Sequence, residues 1–325
     1  MKPAEPMLNA VRGNERLRAE LLAALSEDRL PHSLLLAGEA GCGAGFAARC
    51  LAADYLFPQG GPPAQNTAQG CVTQIDEKGE LVTGIIREVL ALRPVGKMNQ
   101  INIAQIRTAR RECFQSSLSA DGRVVLIQGA DRMNQSAANA LLKVLEEPPE
   151  GVLFLLTAGS QAAVLPTIRS RCSVYAVSPV SPDECTQALL QQEHQLPRAE
   201  AEYLAELFAG QIGSCLHARE PARRAALEKA GALYGCLAAG KEYEALVLLA
   251  AYEKEKSAAI AVLNDVSALC AASLRSEDFR VPGQPAMPPA RAARAVQKIG
   301  SAVRRLGANA SPKLVLTLLA AELCQ

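Results

Sequence analysis

The sequence predicts an α/β N-terminal domain, a parallel sheet with helices on both faces, followed by an all-α remainder. Three observations predict it. Short, wholly apolar runs alternate with helical patterns as far as Val177, the arrangement that builds a parallel sheet with crossover helices. A glycine-rich stretch, Gly38-Glu39-Ala40-Gly41-Cys42-Gly43-Ala44-Gly45, joins the first such run to the first long helical pattern. Beyond the break Ser178-Pro179-Val180-Ser181-Pro182 the strand signal stops, and Ala- and Leu-rich helical patterns take over.

At 325 residues the chain is long enough for about two or three domains. It is 49% hydrophobic with no Trp and 4% aromatic residues, which suits a largely helical protein. The net charge of +1 supplies no general attraction to nucleic acid, so any such contact is local or made through partners. Met1 to Pro6 has no apolar core of the kind a secretory signal carries, and no run approaches the ~18 apolar residues of a membrane helix. The ten cysteines are scattered, so reduced thiols in a cytoplasmic protein with no membrane association are expected rather than a disulfide framework.

Asn14 can cap a helix from Glu15 to about Ser26, with Leu17, Leu21, Leu22 and Leu25 on one face. Arg29 to His32 leads into a strand, Ser33 to Ala37, and His32 reads as a turn or packing residue. A helix follows the glycine stretch at Phe46 to Ala53. Phe57 to Gly84 reads as a surface insertion, with Cys71 alone in it and no C-x-x-C pair for zinc. Glu88 to Pro94 reads as the second strand, with a short helix at Ile85 to Leu90 as the alternative.

The next helix, from Asn102, carries Ile103, Ile106, Ala109 and Cys113 on one stripe and Arg107, Arg110 and Arg111 on the other face. Simple solvation explains those arginines before a phosphate contact does. Arg123 to Gln128 is a buried strand ending in Gly129-Ala130-Asp131-Arg132, where Asp131 is the one acid. Asn134 or Ser136 caps the helix that packs Ala137, Leu141, Leu142 and Leu145 inward, and Pro148-Pro149 stops it. Val152 to Thr157 is another strand, and Leu165 to Cys172 leads into the last, Ser173 to Val177. After the break, Asp183 to Gln192, Pro197 to Ala209 and Gly213 to Ala218 read as short helices. From Pro221 the chain is helical, interrupted at Val281 to Pro289 and closing on Leu306 to Leu316.

Strand, glycine turn and helix form the frame of a phosphate-binding loop, whose backbone N–H groups face a phosphate at a helix N-terminus. The loop's chemistry also needs a Lys on the β- and γ-phosphates and a hydroxyl on the magnesium. Those two positions hold Ala44 and Gly45. A plain tight βα turn explains the glycines equally well on spacing alone.

Leu30-Pro31-His32-Ser33-Leu34-Leu35, Arg93-Pro94, Gln105-Ile106-Arg107, Asn139 to Pro149 and Leu165 to Cys172 occur in this order. In these blocks the chain resembles the bacterial clamp-loader subunits of DNA polymerase III, an AAA+-like family. The resemblance is strong to about Val177 and faint beyond, apart from Asn309 to Leu316. It implies three parts: an AAA+-like domain over 1–178, a small helical lid over 179–220 and a helical collar for oligomerisation over 221–325. It further implies a place in a five-subunit ring that loads a sliding clamp onto primed DNA. The implied partners are the gamma/tau ATPase subunits and delta directly, and the clamp and primer-template DNA indirectly.

The Ser170-Arg171-Cys172 motif of such a subunit supplies Arg171 in trans to nucleotide bound by a neighbour, as an arginine finger. On its own, Arg171 reads as a surface Arg in a salt bridge. Departures from the ATPase members all point to a subunit that does not hydrolyse ATP. Ala44 and Gly45 replace the Lys and hydroxyl, the acids are reduced to Asp131, and Gly213 aligns with an Arg of the lid. Of the four-cysteine zinc module of many relatives only Cys50 and Cys71 remain in the region, so no metal and no cofactor are expected, and Gly38, Gly41, Gly43, Ala44 and Gly45 form a degenerate loop. The same-fold alternative is an ATP-hydrolysing motor subunit of the gamma/tau type. The alternative of another class is a Rossmann-like small-molecule enzyme, which wants Gly-x-Gly-x-x-Gly and a ribose-binding acid about twenty residues on.

Overall fold

A computed structural model describes residues 5–114, 122–308 and 310–324, so Met1 to Ala4 and Asn309 lie outside the described residues. The chain divides into two compact units, residues 1–180 and 181–325.

In the first unit the elements run α1 (Glu15–Ser26), β1 (Ser33–Ala37), α2 (Ala44–Leu56), α3 (Pro62–Gln69), β2 (Val72–Ile75), β3 (Leu81–Val82), β4 (Ile86–Leu92) and α4 (Ile103–Phe114). They continue with β5 (Arg123–Gln128), α5 (Gln135–Glu146), β6 (Val152–Ala158), α6 (Pro166–Arg169) and β7 (Ser173–Ala176). The strands form one seven-stranded sheet in the order β3-β2-β4-β5-β6-β1-β7. Every pairing is parallel except β2 with β3.

Every residue of β1 and β6 is buried, as expected of strands covered on both faces. Their side chains alternate between two cores because successive residues of a strand point to opposite faces. Leu34, Leu36, Val124, Leu126, Leu153 and Leu155 pack with Ala47, Ala48 and Leu51 of α2. Leu35, Val125, Ile127, Phe154 and Leu156 pack with Ile106 of α4 and with Leu141 and Leu145 of α5. The parallel sense brings the C-terminal ends of β1, β4, β5, β6 and β7 to one edge, where ligand sites of such sheets lie.

Three expectations are corrected. Residues 57–84 are not a surface insertion: they hold α3, β2 and β3, and β2 pairs with β4 inside the sheet. β2 escapes notice because Thr73 and Gln74 break its apolar run; Thr73 is buried nonetheless, its Oγ1 donating to the Ile86 carbonyl at 3.2 Å. The strand expected from Glu88 is β4 and begins at Ile86, so no helix lies at 85–90. Asn14 does not cap α1 with its side chain. Its backbone is left-handed, and its amide brackets Ser178, donating to the carbonyl at 2.9 Å and accepting from the N–H at 2.8 Å. Asn134 does cap α5, accepting from the Ala137 N–H at 2.8 Å.

The second unit holds α7 (Pro182–Gln192), α8 (Arg198–Leu207), α9 (Ile212–Ala218), α10 (Pro221–Ala239), α11 (Glu242–Ala250), α12 (Lys256–Arg275), α13 (Pro289–Gly307) and α14 (Pro312–Cys324). Ser181 and Glu184 form a capping box at the start of α7. Cys185, Leu189, Ala201, Leu204 and Cys215 are buried in α7 to α9, with the Cys185 and Cys215 sulfurs 3.7 Å apart. Helices α10 to α14 share a core that includes Tyr234, Leu237, Leu263, Val266, Ile299, Leu306, Leu316 and Leu319. By length and composition α12 is apolar enough to cross a membrane, which the sequence pattern did not suggest. Val262, Leu263, Val266, Leu269 and Cys270 bury it in this core instead, and its buried Asp265 pairs with Arg223 of α10 through both carboxylate oxygens at 2.5 Å.

Candidate functional site

The glycine stretch lies at the C-terminal end of β1 and opens α2. A Cβ on Gly38 would stand 2.3 Å from the Val177 carbonyl oxygen, so the chain end of β7 leaves room only for glycine. Gly41 and Gly43 have φ of 87° and 94°, conformations side chains rarely adopt. Gly43 is the residue before the first turn of α2, so that turn's free N–H groups open onto the loop. This much is the frame of a phosphate loop.

What fills the frame is different. A Cβ on Gly45 would lie 3.1 Å from Gln128 Nε2 and 3.8 Å from Arg49 Nη1. Gln128 ends β5, and its Oε1 accepts from Arg93 Nε at 2.6 Å, which fixes the amide beside the loop. Arg49, in α2, donates from Nε to the Ala68 carbonyl at 2.8 Å. Burial, together with the nearby charge of Arg93, holds the Arg49 guanidinium below its ordinary pKa. No residue in this group can hold magnesium as a carboxylate does. The strand end expected to offer an acid offers Gln128, while Asp131 lies beyond it in a 3-10 turn, Ala130–Arg132, beside Gly159. Gln128 and Arg49 carried no motif, and Arg93 stood only in the Arg93-Pro94 block; they meet because β4 and β5 end, and α2 begins, at one edge.

The motif Ser170-Arg171-Cys172 occupies the turn between α6 and β7. Cys172 packs against the core beside Leu165, and burial pushes its thiol up to about 11. Ser170 Oγ donates to the Thr167 carbonyl at 3.2 Å. Arg171 makes the salt bridge that its reading as a surface Arg expects, and a backbone hydrogen bond besides. Its Nη1 donates to the Thr167 carbonyl at 2.9 Å and its Nη2 to Glu146 Oε1 at 2.6 Å. The side chain remains 36% exposed, at the wall of an open cleft of about 480 Å³ that His32 and Leu145 also line. Arg169 turns another way, donating to the Gln161 carbonyl at 3.3 Å.

A second cleft, of about 320 Å³, lies between α4 and α5, with Arg107 and Arg110 on one wall and Ser136, Asn139 and Lys143 on the other. The arginine face of α4 is therefore divided. Arg111 does not line the cleft and pairs with Glu112 at 3.5 Å. Among the described residues no three His, Cys, Asp or Glu side chains converge on a metal-sized site. Cys50 is fully buried in α2, its thiol pushed up to about 12 by burial. Gly213, which the resemblance sets against a lid Arg, is the exposed second residue of α9.

The family model described as "DNA polymerase III, delta subunit" matches residues 13–181, just over half of the chain. A DNA polymerase III subunit delta-prime of Bacillus subtilis is 27% identical over 64% of this chain and 59% of its own length. That of Pseudomonas aeruginosa is 34% identical over 58% and 55%. A DNA polymerase III subunit gamma/tau of Mycobacterium tuberculosis is 31% identical over 50% of this chain and 27% of its own. The chain thus spans less than two thirds of the length of these relatives. A solved gamma subunit-related protein of Thermotoga maritima covers 93% of this chain and 97% of its own at 22% identity, with a TM-score of 0.53, which shows a shared fold.

Proposed function

The chain belongs to the DNA polymerase III delta-subunit family, and from that membership we propose that it is the delta-prime subunit of a clamp loader, one that does not hydrolyse ATP itself. It stands in a ring with gamma/tau and delta subunits in the bacterial cytoplasm, and there presents Arg171 to nucleotide on a neighbour. In this reading 1–178 is the AAA+-like domain, 179–220 the lid and 221–325 the collar. Exposed apolar pairs support a partner-binding role for the collar: Tyr243 and Val247 on α11, Leu314 and Leu318 on α14, each spaced i, i+4 so as to share a helix face.

The observation that carries the non-hydrolysing role is the loop. Ala44 provides no ammonium, and Gln128 stands where a side chain at position 45 would go. Isothermal titration of the purified chain with Mg-ATP is expected to show no binding at micromolar concentrations and no turnover. Ala44→Lys alone is expected not to restore binding, because magnesium still lacks its hydroxyl and carboxylate. Micromolar affinity or hydrolysis by the unaltered chain sinks this reading in favour of the motor subunit.

A second reading concerns the cleft between α4 and α5. Three cations line it with Ser136 and Asn139, which supports direct contact with the nucleic-acid backbone once the subunit is held in an assembly. Lys143→Ala is expected to weaken DNA binding by the reconstituted assembly irrespective of sequence, and to reduce the slope of log affinity against log salt by about 1. An unchanged slope returns these residues to a solvated face.

A further inference from the structure

We propose that Glu146 is a positioning residue for Arg171, setting the guanidinium in place before any nucleotide reaches it. The inference rests on the trans role of Arg171 proposed above. Glu146 is the last residue of α5, a poor place for a carboxylate, because the helix dipole there favours cations. Its carboxylate is answered by Arg171, from 25 residues further along the chain, at 2.6 Å. The pair is more than a surface ion pair formed by chance between long side chains. The same guanidinium is tied at its other terminal nitrogen to the Thr167 carbonyl, so two anchors from two elements set its plane.

An Arg side chain carries about 2 kcal/mol of rotamer entropy, which these anchors remove before the neighbour's nucleotide arrives. A guanidinium has five donors. Beyond the two anchors and a longer contact from Nη1 to Ser170 Oγ at 3.5 Å, donors remain for an incoming phosphate oxygen on a side chain that lines the cleft of about 480 Å³ with His32 and Leu145. The carboxylate acts through Arg171 and does not itself meet phosphate, since like charges repel.

The test is a double-mutant cycle in a reconstituted loader whose other nucleotide interfaces are silenced, with stimulated ATP hydrolysis as the readout. Misplacement on the order of 1 Å costs up to ~100-fold in rate, so Glu146→Ala is expected to lower kcat about tenfold. KM for ATP should stay unchanged. Glu146→Gln, which still accepts a hydrogen bond, should retain most of the activity. In an Arg171→Ala background, Glu146→Ala should do nothing further. A second readout needs no partner: in the isolated chain, slow rotation of the Arg171 guanidinium, resolved by nitrogen NMR, should be lost in Glu146→Ala. If Arg171→Ala lowers hydrolysis while Glu146→Ala leaves it unchanged or multiplies the defect, the positioning role is overturned and the finger stands. If Arg171→Ala itself changes nothing, the finger reading falls and takes this inference with it.

Discussion

In the proposed trans role, Arg171→Ala is expected to reduce stimulated ATP hydrolysis at the interface it would complete by on the order of 10³-fold or more, the usual worth of an arginine finger. Total hydrolysis by the loader should fall only in part, because the other interfaces keep their own fingers. Clamp loading should fall further if every site must fire. The isolated chain should fold almost as before. The pair Arg171–Glu146 is 36% and 50% exposed, and exposed pairs contribute about 0 to 1 kcal/mol. Arg171→Lys should rescue little, since an ammonium lacks the planar fork that meets phosphate oxygens. Arg169 is the internal control. It anchors to the Gln161 carbonyl, away from Glu146, so Arg169→Ala should leave hydrolysis near normal. A defect from Arg169→Ala as large as that from Arg171→Ala would mean that the wrong arginine has been assigned.

Arg223→Ala should be strongly destabilising to the helical unit. Asp265 is 6% exposed in the middle of α12, and Arg223 is its bidentate partner. Removing one partner of a buried pair costs about 3–5 kcal/mol, because it strands the other charge. The Arg223 side chain is 23% exposed, which puts the loss near the lower end, at about 3 kcal/mol. Asp265→Ala should cost less, since the freed guanidinium can extend into water along its apolar stem. The double change Arg223→Met with Asp265→Leu should recover most of the stability, as apolar replacements of buried pairs do. Urea unfolding followed by probes in the helical unit measures all three. A loss below about 1 kcal/mol for Arg223→Ala, the range of exposed pairs, would show that the carboxylate finds water or another donor.

Much of this protein was legible in the order of its residues. β1, β5 and β6 stood out because a strand covered on both faces must be apolar throughout. The stop of α5 was written in Pro148-Pro149 and its start in a pair of cap candidates, Asn134 and Ser136, of which the structure uses Asn134, since a cap and a proline act on their own turn of chain. The absence of the loop's Lys and hydroxyl was legible for the same reason: Ala44 and Gly45 are adjacent, and lacking an ammonium and a hydroxyl is a property of residue type alone. β2 was hidden because its burial depends on β4 at its side and not on its own composition.

What only the tertiary structure decided is which side chains meet. Gln128, Arg93 and Arg49 belong to β5, the end of β4 and α2, and none lies in a recognisable spacing with Gly45. They converge because the parallel strands all end at one edge and β4 and β5 are neighbours in the sheet. Arg171 was singled out by its motif, but its partner Glu146 lies at the end of α5, with β6 and α6 between them. The same holds for Arg223 and Asp265, 42 residues apart in the chain. Residue type and period are local and survive in a one-dimensional reading. A contact between distant residues exists only once backbone pairing and core packing have chosen one arrangement of the elements.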